Sequence, residues 1–408
     1  MSGGLDQIDI YDPRGYVDSA PYDDFALLRH EQPVFRQAMP DGTAYWALLK
    51  HADVVDASRR PELFSAEIGG VVLEDQPPEQ LEQTKNMLLM MDPPRHAELR
   101  KRVYPHFRPR QIALIEDRVR AICIEILDAG AAMRDVEFTH DLAARVPSQV
   151  FGELLGIPVG DRADINRWAE MMTGGQDPDI NPDGYADGTN EGSVEMAMYG
   201  ARFAQERRGR AANGDGDLGD LLLATEIDGR PMDDLEFAYF FVQLVTAGND
   251  TTRTMLSSGL YELIRHPDQL DALRADRSLI ASAVEEILRF APPLHYFRRT
   301  ASAATEIRGQ AIAVGDKVAL MYSSANRDED AFIDPDRFDI SRDPNPHLSF
   351  GIGEHFCLGV HLARLEARVF FEEMLDRWVS VELTADPERQ RSNLNNALKS
   401  LPVRIQSA

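Results

Sequence analysis

Cysteine is nearly missing from this chain: two occur among 408 residues, Cys123 and Cys357. No disulfide framework can be built from them, and a reducing cytosol fits that usage. Long apolar runs are missing too. The longest, such as Phe237 to Ala247, fall far short of the ~20 residues that span a bilayer. The first residues are polar and acidic and show no secretory signal. The expectation is a soluble, cytoplasmic protein without a membrane anchor. Basic residues are scarce, 43 Lys and Arg against 68 Asp and Glu, for a net charge of −25. That balance favours solubility and argues against nucleic acid as a partner. Internal repeats, low-complexity tracts and flavin- or nicotinamide-binding motifs are also absent from the sequence.

What is present is a chain 43% hydrophobic, enough for a sizeable core. No linker divides it, so residues 1–408 read as one catalytic unit. Apolar periodicity predicts helices around Phe25 to His30, over His51 to Arg59 and over 279–290. Residues 94–225 are mostly helical in pattern, interrupted by a polar loop at 173–192. Residues 233–266 read as one helix, about 50 Å long at 1.5 Å per residue. Asp233 or Asp234 caps its start and Pro267 stops it. Strand signals stand at Val34-Phe35, Tyr45 to Leu48, Ala311-Ile312 and Lys317 to Met321. The fold class is therefore mainly α, with a minor β portion over 30–65, 295–325 and 380–408. Residues 65–88 lack periodicity, and so long a connection is usually functional. Cys123 sits in a helical pattern with Ile122, Ile124, Ile126 and Leu127, so it reads as core.

Cys357 stands in a different setting. It belongs to the loop Phe350-Gly351-Ile352-Gly353-Glu354-His355-Phe356-Cys357-Leu358-Gly359, and helical spacing follows at once (Leu362, Ala363, Leu365, Val369, Phe370). The glycines permit unusual backbone angles and close approach to a flat ligand. A thiolate just before a helix N-terminus is favoured by the dipole and by N–H donors, and suits a metal. The long helix carries Ala247-Gly248-Asn249-Asp250-Thr251-Thr252 at its middle. Glycine costs about 1 kcal/mol in a helix interior, and threonine competes for backbone carbonyls. Such a weakened segment is either a kink or tight helix crossing, or a groove facing a cofactor, where an acid–alcohol pair can deliver protons. Glu286 and Arg289 share a helix face; most such pairs are solvated. His96 and Arg100 share another, just after Pro93-Pro94, and both suit carboxylates.

These four landmarks resemble, in order, those of the cytochrome P-450 family. Phe-x-x-Gly-x-His-x-Cys-x-Gly is similar to its haem-thiolate loop, and Ala247 to Thr252 to its distal-helix motif. Glu286-x-x-Arg289 with Pro335-Asp336-Arg337-Phe338 is similar to its charge triad, and His96-x-x-x-Arg100 to its propionate-binding helix. The resemblance spans residues 9–404 and implies the cytochrome P-450 fold, its long helix crossing a haem b. Cys357 would be the axial thiolate and metal ligand, with Ala247, Gly248, Phe350, Gly351 and Gly359 around the cofactor. His96, Arg100, Arg299 and His355 would hold the propionates, although Arg298 beside Arg299 leaves open which arginine points inward. Asp250 and Thr251 would be the catalytic proton-delivery pair, and Glu286, Arg289 and Arg337 a structural network. Family topology places Val71, Val72, Met87, Leu89, Met172, Leu244, Leu294, Tyr296, Phe297 and Leu398 in the substrate pocket. The implied activity is a monooxygenase, inserting one atom of dioxygen into a C–H bond of a hydrophobic steroid, terpenoid or branched lipid. Electrons would come from a separate ferredoxin and ferredoxin reductase, docked on the basic cluster Arg95, Arg100, Lys101, Arg102, Arg108 and Arg110. A monomer is expected. Two alternatives remain: a peroxide-driven peroxygenase, which the Asp250–Thr251 pair argues against, and a non-catalytic haem-binding or sensor protein.

Overall fold

Helix dominates the chain. The computed structural model describes residues 5–182, 185–208, 216–227 and 229–407. Its α-helices are α1 (Tyr22–Glu31), α2 (His51–Ser58), α3 (Pro78–Thr84), α4 (Arg95–Val103), α5 (Pro109–Ala113), α6 (Glu116–Met133), α7 (Arg145–Leu154) and α8 (Arg162–Thr173). They continue with α9 (Tyr185–Arg207), α10 (Leu218–Leu223), α11 (Asp234–Arg265), α12 (Pro267–Ala275), α13 (Ile280–Phe290), α14 (Tyr322–Ala325) and α15 (Val360–Arg377). No helix among the described residues is long and apolar enough to cross a membrane.

α11 is the axis on which the others pack. The Asp233 carboxylate accepts from the N–H groups of Leu235 (3.0 Å) and Glu236 (2.9 Å), and the Glu236 carboxylate accepts from the Asp233 N–H (2.9 Å). This reciprocal cap starts the helix where the sequence places it. Pro267 does more than stop the chain. It opens α12 at the first helical position, where no N–H donor is needed. Phe237, Phe240, Phe241, Val242, Leu244 and Val245 are all buried, so this half of α11 packs against neighbours over most of its surface. Near the other end, a Cβ on Gly259 would lie 2.9 Å from both Ile287 of α13 and Phe371 of α15. Glycine is what allows those helices to cross there.

The polar stretch 173–192 departs from the expected loop. Helix α9 begins at Tyr185, while residues 183–184 lie outside the described residues. Gly192, which propensity counts against a helix, is a packing position: a Cβ there would lie 2.7 Å from the Trp168 carbonyl oxygen on α8. Tertiary contact overrides propensity at this point. A short helix, α3, also interrupts the aperiodic 65–88 connection.

The main sheet has the order β1-β2-β10-β7-β3, from β1 (Val34–Ala38), β2 (Ala44–Leu48), β3 (Phe64–Ser65), β7 (Tyr296–Ala301) and β10 (Lys317–Met321). β10 runs parallel to β2, with Tyr45 opposite Lys317, and the other pairs are antiparallel. A second sheet joins β11 (Trp378–Leu383), β14 (Pro402–Ser407) and β4 (Asp135–Glu137). β4 falls inside the stretch read as helical, and three residues are too few to register as a period. Alternation along β7 sends Phe297 and Arg299 one way and Tyr296 and Arg298 the other.

Candidate active site

A cavity with about 1420 Å³ of empty space, part of it open to solvent, separates α11 from the cysteine loop. The loop is closed by the Cys357 N–H donating to the Phe350 carbonyl at 2.9 Å. Gly351 (φ +66°) and Gly353 (φ +78°) take left-handed angles that make the turn. α15 starts three residues after the sulfur, at Val360. Burial pushes the Cys357 thiol up, opposed by the Gly359 N–H bonded to it and by the charges of Arg100 and Arg364. Among the described residues no group of three or more His, Cys, Asp or Glu gathers to hold a bare metal ion. A metal bound through Cys357 would therefore draw most of its ligands from outside the protein.

One edge of the cavity, reaching the cysteine loop at His355 and Phe356, gathers nitrogen donors. His96 is fully buried, and both its ring nitrogens lack a hydrogen-bond partner. Its ring lies 4.3 Å from that of His355. Arg299, 5% exposed, donates to the Arg298 carbonyl at 2.8 Å. Arg100 reaches the Phe356 carbonyl at 2.5 Å. Burial pushes His96 down to about 4 and His355 down to about 2, and the neighbouring arginines add to both shifts. Burial likewise lowers Arg299 and Arg100. Buried cationic and donor groups of this kind call for anionic partners. The two carboxylates of a haem would satisfy them, so the residues present fit that group. The choice between the two arginines follows from strand alternation: Arg298 turns away to Asp75 (2.7 Å), and Arg299 lines the cavity.

The long-helix motif divides between two spaces. Ala247, Gly248, Thr251 and Thr252 line the cavity. Thr251 Oγ1 donates to the Ala247 carbonyl at 2.6 Å. A Cβ on Gly248 would lie 2.9 Å from the Phe151 ring, so this glycine permits a tight crossing as well as lining the groove. Asp250 does not face the cavity. Its carboxylate accepts from the Thr173 hydroxyl and pairs with Arg253 at 3.3 Å, and Arg253 also pairs with Glu170 at 3.0 Å. Burial pushes the Asp250 carboxyl up against these partners. Asp250 and Thr251 do share a small space with Thr173, Gln390 and Asn395.

The charge network needs one correction. Glu286 and Arg289 are fully buried and paired through two contacts of 2.8 Å. Arg337 supplies only its carbonyl, which accepts from Arg289 at 3.0 Å; its side chain is exposed. The third side chain is Arg342, 3.1 Å from Glu286. An arginine five residues from the expected one occupies the inward position, which the motif spacing does not reveal.

The substrate pocket is corrected more widely. Leu89, Leu244, Leu294 and Phe297 line the cavity, whereas Val71, Val72, Met87, Met172, Tyr296 and Leu398 do not. Val71, Met87, Tyr296 and Leu398 are buried core, and Tyr296 accepts the Leu73 N–H at 3.3 Å. The Val72 carbonyl accepts from Arg298, and the Met172 sulfur accepts from the Thr246 hydroxyl at 3.6 Å. Leu88, Phe107, Phe151 and Gln243, not singled out from the sequence, also line the cavity.

Sequence reasoning also missed Glu366 on α15, which lines the cavity beside Thr252. Burial pushes its carboxyl up to about 8, against the Thr252 hydroxyl bond that lowers it. The unfolded chain ionises this group from about 4.5 upward, while the folded chain keeps the proton until about 8. Stability is therefore lost as pH rises through that window. Glu366→Gln keeps a neutral group of the same shape. It is expected to raise stability by about 3 kcal/mol at pH 7 and to change little near pH 4.5, read by urea unfolding.

Comparison with known proteins adds to this geometry. A family model described as Cytochrome P450 matches residues 193–406. The chain is 39% identical over 390 residues to the methyl-branched lipid omega-hydroxylase of Mycobacterium tuberculosis (strain ATCC 25618 / H37Rv), covering 93% of this chain and 90% of that protein. It is 35% identical over 412 residues to the steroid C26-monooxygenase of Rhodococcus jostii (strain RHA1), covering 98% and 85%. A solved structure of a Mycobacterium marinum cytochrome P450 in complex with pseudoionone superposes with a TM-score of 0.91, at 38% identity and 98% coverage of both chains.

Proposed function

The chain belongs to the cytochrome P450 family and is an oxidoreductase of the monooxygenase type; from that premise we propose that it hydroxylates a branched, hydrophobic lipid, steroid or terpenoid in the cytoplasm as one catalytic unit. The observation that carries this reading is that the Cys357 sulfur and the His96, Arg100, Arg299 and His355 cluster line one and the same cavity. The relatives support the substrate class, since their named activities concern branched lipids and steroids.

A haem held here would supply the oxidising chemistry, the incorporation of one atom of dioxygen into a C–H bond, tuned by electron density from a thiolate ligand. The protein's share is as follows. Cys357 holds that thiolate, steadied by the Gly359 N–H. His96, Arg100, Arg299 and His355 would anchor the propionates. Leu88, Leu89, Leu244, Leu294 and Phe297 present an apolar wall that receives the substrate and excludes water. Thr251 Oγ1 breaks its bond to Ala247 to donate a proton into the cavity, and the Asp250 carboxyl, on the adjoining side of α11, resupplies it. Electrons come from a ferredoxin with its reductase. Lys101, Arg102, Arg108 and Arg110 are exposed on the side where Arg100 meets the cysteine loop, and suit an acidic partner.

The reading is tested by reducing the purified protein under carbon monoxide. A strongly red-shifted Soret band supports it, and a band at the imidazole-ligated position overturns it. Thr251→Ala is expected to consume electrons at a near-normal rate while hydrogen peroxide replaces most of the product. Unchanged coupling in that assay removes Thr251 from the proton route. A reduction rate insensitive to salt removes the docking surface.

A further inference from the structure

Gln243 is the polar exception in an apolar wall. It stands on α11 one turn before Ala247, and its side chain lines the cavity between Leu89 and Leu244. The Leu89 N–H donates to its side-chain oxygen at 3.1 Å. That bond settles the amide's orientation, because a backbone N–H needs an acceptor. The amide nitrogen is therefore the free end. It has no hydrogen-bond partner among the described residues, and a side-chain amide nitrogen offers two donors. The same cavity is lined by Leu88, Leu89, Leu244, Leu294 and Phe297, and none of these is charged. Of the α11 hydroxyls that line the cavity, Thr251 is already bonded to the Ala247 carbonyl and Thr252 to the Glu366 carboxyl. The cationic groups lie at the propionate edge, and Tyr322 lies toward the cysteine loop, its hydroxyl 3.9 Å from the position of a Cβ on Gly351.

We propose that Gln243 selects substrates carrying a neutral hydrogen-bond acceptor, a carbonyl or hydroxyl oxygen, on an otherwise hydrocarbon skeleton, and sets which end is oxidised. This rests on the monooxygenase reading above and names its substrate more narrowly. A neutral oxygen accepts from the amide without further partners, whereas a carboxylate would bring an unpaired charge into an uncharged wall. Gln243 and Thr251 are eight residues apart on one helix, about 12 Å along its axis. An oxygen held at Gln243 keeps its own end of the molecule away from Thr251. Oxidation then falls on the far, hydrocarbon end.

The test titrates the haem-loaded protein with geranylacetone and with the hydrocarbon in which its carbonyl is a methylene. Binding is read from the haem spin-state shift, or from heat where that shift is silent. The wild-type protein is expected to bind the ketone roughly two- to tenfold more tightly, the range for one net hydrogen bond. It should hydroxylate the branched terminus remote from the carbonyl. Gln243→Met, close in shape and without donors, is expected to erase the preference by weakening ketone binding alone, and to scatter the products. Equal wild-type affinities, or binding of neither probe, overturn the assignment. So does a variant that weakens both ligands equally, since Gln243 would then act only as the tether of Leu89. Absence of the thiolate-type carbon monoxide band in the wild-type protein would instead overturn the monooxygenase reading.

Discussion

Glu286→Ala is expected to yield no haem-loaded protein. The Glu286 carboxylate accepts from Arg289 at 2.8 Å twice, from the Asp339 N–H at 2.9 Å, from Arg342 at 3.1 Å and from Asn345 at 3.1 Å. Arg289 in turn donates to the carbonyls of Asn326 (2.9 Å), Pro335 (2.7 Å) and Arg337 (3.0 Å). This knot binds α13 to the chain that leads into the cysteine loop. Neither Glu286 nor Arg289 has any exposure. Removing one partner leaves the other charged, buried and uncompensated, at about 3–5 kcal/mol. That is a large part of the roughly 5–15 kcal/mol by which folded domains are stable. Two controls separate the network from its sequence motif. Arg342→Ala is expected to destabilise measurably, and Arg337→Ala, on an exposed side chain, to stay within about 0.5 kcal/mol. Full haem content in purified Glu286→Ala would refute the role.

Cys357→Ala is expected to bring turnover to background and to abolish the red-shifted carbon monoxide band. The sulfur is the only thiol facing the cavity, since Cys123, the other cysteine, is buried on α6. Loop geometry should survive the change. The bond from the residue 357 N–H to the Phe350 carbonyl is backbone, and the turns at Gly351 and Gly353 are untouched. The cluster of His96, Arg100, Arg299 and His355 also remains. The variant should therefore retain some affinity for haem while losing the spectral signature and the chemistry. The same red-shifted band in the variant would mean that another residue is the ligand.

Much of this arrangement is legible in the sequence because it depends on local chemistry. Asp233 and Glu236 announce the start of α11, and Gly351 and Gly353 the turns before Cys357. The strands at 34–38, 44–48 and 317–321 stand where short runs of β-branched and aromatic or apolar residues signal them. What is not legible depends on which way a side chain turns once distant elements meet. Arg342 displaces Arg337 from the network because the chain after Phe338 doubles back over α13. Asp250 turns to Thr173 and Arg253, on contacts made across two helices. Tyr296 and Phe297 are neighbours in sequence with opposite fates, decided by strand phase. Glu366 carries no motif and becomes notable only through its burial. Gly192 looks like a loop residue and is a helix contact, visible only when α8 lies against it.

The parallel pairing of β2 with β10 has a consequence in time. Tyr45 lies opposite Lys317, so the ribosome must add roughly 270 residues before that edge of β2 can be covered, about 15–50 s at ordinary elongation rates. The buried ion pair of Lys50 with Asp328, 2.9 Å apart, waits equally long. Through that interval the β1–β2 hairpin is a two-stranded ribbon with one unpaired edge, marginal in water by itself and open to pairing with another nascent chain. The N-terminal strands are thus made early and secured late, and the yield of intact protein depends on what shelters them meanwhile.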